Sequence, residues 1–291
     1  MSVLSVHVCV IGSSNLDLVA TTARLPRPGE TVLGEAYAEH PGGKGLNQAV
    51  ASARAGARTA FVSAVGDDAA GDELVAVMVA NGIDTWYVDR RSDAPTGRAL
   101  IGVAADGENS IIVVAGANAT VTGLDVPPAR VVLAQLEVPV EAIVAAFTAA
   151  RATGAITVLN PAPARALPAE LLQLCDIVVP NEHETVALGG VGHLFALGAE
   201  SIVVTHGKDG AVLHSAAGLT TIAPFAVDAI DTTAAGDTFC GSLCARLALG
   251  NALPEALRYA SAAAALSTTR SGAVPSIPIL DEVEQLLNAA G

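Results

Sequence analysis

Apolar residues fall in short blocks separated by glycine, proline and acidic turns, and the blocks alternate between two periods. Val6–Ile11 is a near-continuous apolar run, as expected of a strand covered on both faces, and it ends in Gly12-Ser13-Ser14-Asn15. Between Asp17 and Ala38, turn signals at Pro26 and Pro28-Gly29 break up short alternating pieces such as Thr31–Leu33. This reads as a small antiparallel flap rather than a helix. Gly42-Gly43-Lys44-Gly45 opens an Ala-rich stretch that predicts a helix to about Ala55, stopped by Gly56. A strand over Thr59–Val65 and a helix from about Ala70 to Ala80, ended by Asn81-Gly82, come next. Thr96–Val103 and Asn109–Val114 read as a strand pair turning at Asp106-Gly107.

The second half alternates more regularly. Strands are expected at Val131–Gln135, Ala155–Leu159, Ile177–Val179 and Ser201–Thr205, with helices over Val140–Arg151 and from Glu182. A hairpin-like segment spans Ala211–Ile222, and the chain closes with helices over Ala235–Leu249, Leu253–Ser267 and Leu280–Ala289. Alternating strands and helices predict an α/β fold, a mostly parallel central sheet with helices on both faces, in one domain. No internal repeat or low-complexity tail interrupts the pattern.

Composition narrows the partners. Residues are 52% hydrophobic but only 3% aromatic, so the apolar content is mainly Ala, Val and Leu, suited to Ala-rich helices on Val-rich strands. The formal net charge of -14 and the lack of a basic run argue against nucleic acid, which is bound by clustered Lys and Arg. An acidic chain can still hold a nucleotide, because a few fixed amide dipoles and a metal ion act locally. Cys9, Cys175, Cys240 and Cys244 form no Cys-x-x-Cys pair and read as small core residues. Met1–Val10 does not read as a secretory leader, and no apolar run is long enough to span a membrane, so a cytoplasmic location is expected. The six histidines lack paired metal spacing.

Three segments carry candidate chemistry. In Asp231-Thr232-Thr233-Ala234-Ala235-Gly236-Asp237-Thr238-Phe239, small residues precede a helix whose first turn holds an Asp. Such a turn leaves main-chain N–H groups free at the positive end of a helix dipole, where a transferring phosphoryl group would be stabilised. An Asp beside it can take a proton from an attacking hydroxyl, or serve only as a helix cap. Gly42-Gly43-Lys44-Gly45-Leu46-Asn47 allows close backbone approach and offers an amide to a pair of hydroxyls, but it is not the Walker phosphate loop. Asn15-Leu16-Asp17 follows the first strand, and alternation would send both polar side chains to one side. Glu137, Asn160, Asn181 with Glu184, and Thr205–Gly210 place further polar groups at the carboxyl ends of later strands.

With Pro41–Ala49 early and Asp231–Phe239 late, the chain resembles the ribokinase-like carbohydrate kinases over nearly its whole length. Gln135-Leu136-Glu137, Asn160-Pro161-Ala162-Pro163-Ala164 and Asn181-Glu182-His183-Glu184 look like further blocks of that family. The resemblance implies a small β-sheet lid, from about residues 15–40 and 95–115, that covers the sugar and forms a homodimer contact. It assigns Asn15, Asp17, Gly43, Lys44, Asn47 and Glu137 to the sugar, the amides of Ala234, Ala235 and Gly236 to an anion hole, and Asp237 to the base. It matches Asn181, Thr205, His206, Gly207, Lys208, Asp209, Gly210 and Ser261 to nucleotide contacts and Glu184 to Mg²⁺ through water. Asp231, Thr233, Ser267, Arg270, Gly272 and Ser276 match a monovalent-cation loop for K⁺. Two departures stand out: the chain is short between Gly189 and Ala199, and Ser261 stands where Asn or His is common beside the adenine.

The function implied is ATP-dependent transfer of the γ-phosphoryl group to a primary hydroxyl. Asp17 and Asn47 suit a vicinal diol, which favours D-ribose, giving ribose 5-phosphate, over a deoxysugar. The alternatives are a kinase for another sugar or a nucleoside, and a catalytically silent sugar-binding protein on the same scaffold. A nicotinamide enzyme is disfavoured, because the turn after the first strand lacks Gly-x-Gly-x-x-Gly.

Overall fold

Fourteen elements make up the first part of the chain: β1 (Val6–Ile11), β2 (Asn15–Thr22), β3 (Gly34–Gly42), α1 (Lys44–Arg54), β4 (Thr59–Gly66), α2 (Ala69–Ala80), β5 (Val88–Arg91), β6 (Gly97–Ala104), β7 (Asn109–Val114), β8 (Ala129–Gln135), α3 (Val140–Ala152), β9 (Ile156–Asn160), α4 (Ala169–Gln173) and β10 (Ile177–Val178). There follow α5 (Glu182–Ala187), α6 (Val191–Ala196), β11 (Ser201–Thr205), β12 (Ala211–Ser215), β13 (Gly218–Ile222), α7 (Ala235–Ala248), α8 (Leu253–Ser267) and α9 (Leu280–Ala289). The computed structural model describes residues 6–290. Met1–Ser5, half of the stretch read for a leader, lie outside the described residues, as does Gly291.

Nine strands form the main sheet in the order β13-β12-β11-β10-β9-β8-β1-β4-β5. Strands β11 through β5 run parallel, and β12 and β13 add an antiparallel edge. Helices cover both faces, as the alternation predicts. In β1 the side chains divide between two cores: Val8 and Val10 pack with α1, α2, α7, α8 and α9, while Cys9 and Ile11 pack with α3, α4 and α6. Burial on both faces is why Val8, Cys9, Val10 and Ile11 are apolar in succession rather than at every second position.

A separate small sheet, β3-β2-β6-β7, stands where the lid was expected. The two expected antiparallel pairs are present, β2 with β3 and β6 with β7, and a parallel β2–β6 register joins them. This sheet is unusually apolar for its exposure: Tyr37, Leu100, Ile112 and Val114 share one face, Ile111 and Val113 lie on the other, and all six are solvent-accessible. In the short region between Gly189 and Ala199, a six-residue helix, α6, fits before β11.

From β1 the chain steps to β4 and β5 on one side, then returns to β8 on the other. A crevice opens at the carboxyl ends of strands where the order reverses in this way. Ser13 after β1, Gln135 and Glu137 at the end of β8, and Asn160 at the end of β9 all reach that rim. No helix among the described residues is long and apolar enough to cross a membrane.

Candidate active site

The crevice holds a cleft of about 210 Å³ lined by Lys44, Asn160, Asn181, Glu184, Thr205 and the Ala234–Asp237 turn, among others. Its centre is Asp237, in the first turn of α7 and only 6% exposed. Both carboxylate oxygens are occupied by side-chain amides. Asn47 Nδ2 donates to Oδ2 at 3.0 Å, and Gln48 Nε2 donates to Oδ1 at 2.9 Å. A carboxylate is therefore held in place by two consecutive residues of α1, about 190 positions earlier in the chain.

The turn before Asp237 is strained. Ala234 has φ 59, the only non-glycine positive φ among the described residues. A side-chain-bearing residue there costs on the order of 1 kcal/mol or more. The distortion turns the amides of Ala234 and Gly236 out of any main-chain hydrogen bond among those of the described residues, whereas Ala235 N–H donates to Thr232 O at 3.2 Å. Of the three amides expected to form an anion hole, Ala235 is thus engaged in a turn in this conformation, while Ala234 and Gly236 are not.

Helix α1 is capped from a distance. Gly43, at its N-cap, has φ 91, which a side chain resists, and offers no side-chain cap. Glu137 Oε2 supplies one instead, accepting from Lys44 N–H at 3.1 Å and from the Ser13 hydroxyl. The Lys44 ammonium faces Asp237, Glu137 and Glu184. Asp237 is the largest influence, and together the three outweigh burial and push the amine above the usual lysine range. Asp17 of β2 is the opposite case. Burial, then the charges of Glu137 and Asp237, push its carboxyl up to about 7. Asn15, nearly fully buried, accepts from Asn118 Nδ2 at 2.8 Å, and Asn118 also bonds both polar groups of the Ser14 backbone.

On the far rim, Asn181 and Glu184 close on each other. The Asn181 side chain accepts from Glu184 N–H at 2.8 Å, and Glu184 accepts from Asn181 N–H at 2.8 Å. The Asn-x-x-Glu spacing is thus also a capping box opening α5. Burial pushes the Glu184 carboxyl up, opposed by that amide and by Lys44. Thr205 lines the cleft, while Gly207, Lys208 and Asp209 form an exposed turn after His206, which lies 2.9 Å from Glu182. Gly210 ends that turn. Ser261 is buried in α8 and does not line the cleft.

The expected cation loop is laced together. Asp231 accepts from Thr233 N–H at 2.9 Å and from Gly272 N–H at 2.8 Å, and Ile230 and Asp231 N–H donate to Thr268 O. Burial alone would raise the Asp231 carboxyl, but these hydrogen bonds hold it below the usual range. The Ser267 and Ser276 hydroxyls bond carbonyls three residues back, and the Arg270 guanidinium grips Glu282. The two hydroxyl oxygens keep lone pairs that could face a cation, whereas Arg270 could contribute only its main-chain carbonyl.

Gln48, Gln135, Asn118 and Ser13 were not singled out as site residues. Each acts through a contact more than 30 positions away, which no local pattern reveals.

This fold and this cleft are those of a phosphotransferase acting on an alcohol, and the chain belongs to the pfkB family of carbohydrate kinases, whose model matches residues 6–280. It is 41% identical to the ribokinase of Staphylococcus aureus over 96% of this chain and 99% of that one. Among solved structures it is similar to Thermotoga maritima ribokinase, with a TM-score of 0.89 and 35% identity over 97% of this chain and 99% of that one. Arabidopsis thaliana ribokinase complexed with ribose and ATP also superposes at a TM-score of 0.89, with 31% identity over 98% of this chain and 99% of that one.

Proposed function

We propose that this protein phosphorylates D-ribose at its primary hydroxyl, giving ribose 5-phosphate and ADP. The observation that carries the reading is the buried Asp237 carboxylate, locked by two amides and set in a strained helix start whose Ala234 and Gly236 amides make no main-chain hydrogen bond among the described residues. Relatives that are named ribokinases over nearly their whole length support the choice of sugar.

Asn15, Asp17, Gly43, Lys44, Asn47 and Glu137 bind the sugar in this reading. A buried Asn47 Oδ1 without a partner among the described residues is the kind of acceptor a sugar hydroxyl satisfies. Asp237 takes the proton of the primary hydroxyl as its oxygen attacks the γ-phosphorus in line, and ADP leaves. The Ala234 and Gly236 amides and the Lys44 charge stabilise the negative charge spreading over the phosphoryl oxygens, with Ala235 joining if its turn opens. The nucleotide lies along Asn181 and Thr205–Gly210. Glu184 has one oxygen beyond its capping bond and suits Mg²⁺ held through water, a metal that neutralises phosphate charge when bound. The Asp231–Thr233 and Ser267–Ser276 segments suit K⁺, held by carbonyls and shaping the anion hole.

The small sheet closes over the sugar and excludes water. Its exposed apolar face fits the same face of a second copy, giving a homodimer in the cytoplasm, where ATP is plentiful. The test is ADP release with MgATP and a panel of pentoses, hexoses and nucleosides. D-ribose should lead the panel, and a nucleoside or hexose turned over faster would reassign the substrate.

A further inference from the structure

We propose that Gln48 is a positioning residue that holds the Asp237 carboxylate in its proton-accepting orientation, with its own amide set by Asn160 and Gln135. The inference rests on Asp237 being the base.

The polar chain behind Asp237 has one possible direction. The Val179 carbonyl can only accept, so Asn160 Nδ2 faces it, at 2.9 Å. That leaves Asn160 Oδ1 towards Gln48, where it accepts from Nε2 at 3.1 Å. On the other side, Gln135 Nε2 donates to Gln48 Oε1 at 2.5 Å. Both ends of the Gln48 amide are thereby committed, and its second Nε2 hydrogen points to Asp237 Oδ1 at 2.9 Å. Turning the amide over would set its oxygen against a carboxylate and an amide oxygen with no hydrogen between them. Gln48 and Gln135 are fully buried, so water cannot take over any of these bonds.

Two further features fit a device for orientation rather than simple satisfaction of buried groups. Gln135 keeps its donor on Gln48 although its own Oε1 finds no partner among the described residues. Helices α1 and α7 also approach so closely that a methyl on Gly241 would stand 2.3 Å from the Gln48 carbonyl, which sets the spacing between Gln48 and Asp237. Gln48 does not line the cleft and acts on the reaction only through Asp237.

The test is a double-mutant cycle on the full chain with D-ribose and MgATP, reading kcat and both KM values. Gln48→Met keeps the length and removes the donors. It should lower kcat on the order of 10–100-fold, as small misplacements of reacting groups do, with both KM values within about twofold. Gln135→Met, which keeps the length and removes the donor on Gln48 Oε1, should lower kcat in the same direction and also spare KM. In an Asp237→Asn background, Gln48→Met should leave the residual rate unchanged, because the two act as one unit. A folded Gln48→Met with wild-type kcat, an equal loss in the Asp237→Asn background, or a loss confined to KM overturns the proposal. If Gln48→Met does not fold, Gln135→Met decides on the same readings. The unmutated protein separates the two readings: no turnover of any sugar fails the proposed function and this inference together, whereas normal turnover with an indifferent Gln48→Met fails this inference alone.

Discussion

Replacing Asp17 by Asn should stabilise the unliganded protein, and by more at about pH 8 than at about pH 5. Asp17 lies in β2, between His40 of β3 and Ala99 of β6, and faces the charges of Glu137 and Asp237. Burial first, then those charges, push its carboxyl from its ordinary 3.8 up to about 7. A folded value above the unfolded one means that the folded protein binds this proton more tightly. The stability it contributes is complete below the unfolded value, falls as pH rises towards the folded value, and is fully lost above about 7. At 1.36 kcal/mol per pH unit the whole loss is about 4 kcal/mol, of which roughly 2–3 kcal/mol falls between pH 5 and pH 8. Asn has the same shape without the charge and escapes the loss. Urea unfolding of both proteins at several pH values, without sugar, measures it. The stability gap should widen from acid towards pH 7 and then level off, and sugar affinity should fall in the variant. A constant gap would refute the reasoning and make Asp17 an ordinary solvated carboxylate, and a gap that widens towards acid would refute it by making Asp17 a carboxylate stabilised in its charged form.

Three other outcomes follow from the same geometry. Exchanging K⁺ for Na⁺ should lower turnover, and equal rates in both salts would detach the Asp231–Ser276 region from any cation role. Gly241→Ala should cost about 1–3 kcal/mol in denaturant unfolding and lower kcat, because its methyl meets the Gln48 carbonyl at 2.3 Å and the Ala51 Cβ at 2.7 Å, neither of which can swing away. Ile112→Glu, on the exposed face of the small sheet, should convert a dimer to a monomer by sedimentation without unfolding the chain, and an unchanged mass would move the dimer contact elsewhere.

Much of the fold was legible because its elements carry their own local signals. Val6–Ile11, Ser201–Thr205 and Leu253–Ser267 match their expected bounds, since uninterrupted apolar runs and Ala-rich stretches between glycines leave little ambiguity. Strand β5 was missed because Val-Asp-Arg-Arg shows neither alternation nor an apolar run, as suits an edge strand with one partner. Helix α4 was missed because its five residues are too few for a helical period. Asp237, Asn47 and Lys44 stood out because glycines and helix starts flag them. Gln48 did not, although it neighbours Asn47, because its importance lies in a contact made 189 residues away. The Asn181–Glu184 spacing was read only for its chemistry, and its local structural role as a capping box became visible in the coordinates.

The central claim is that Asp237 activates a sugar's primary hydroxyl for attack on the terminal phosphate of ATP. Phosphorus NMR of the products formed from D-ribose and MgATP, by the unmodified protein and by Asp237→Asn, tests it most directly. The account requires ribose 5-phosphate and ADP from the unmodified protein, and a kcat roughly 100- to 10,000-fold lower in a folded variant that still binds ribose. Comparable rates from the two proteins, or phosphate appearing at the anomeric position, would contradict it.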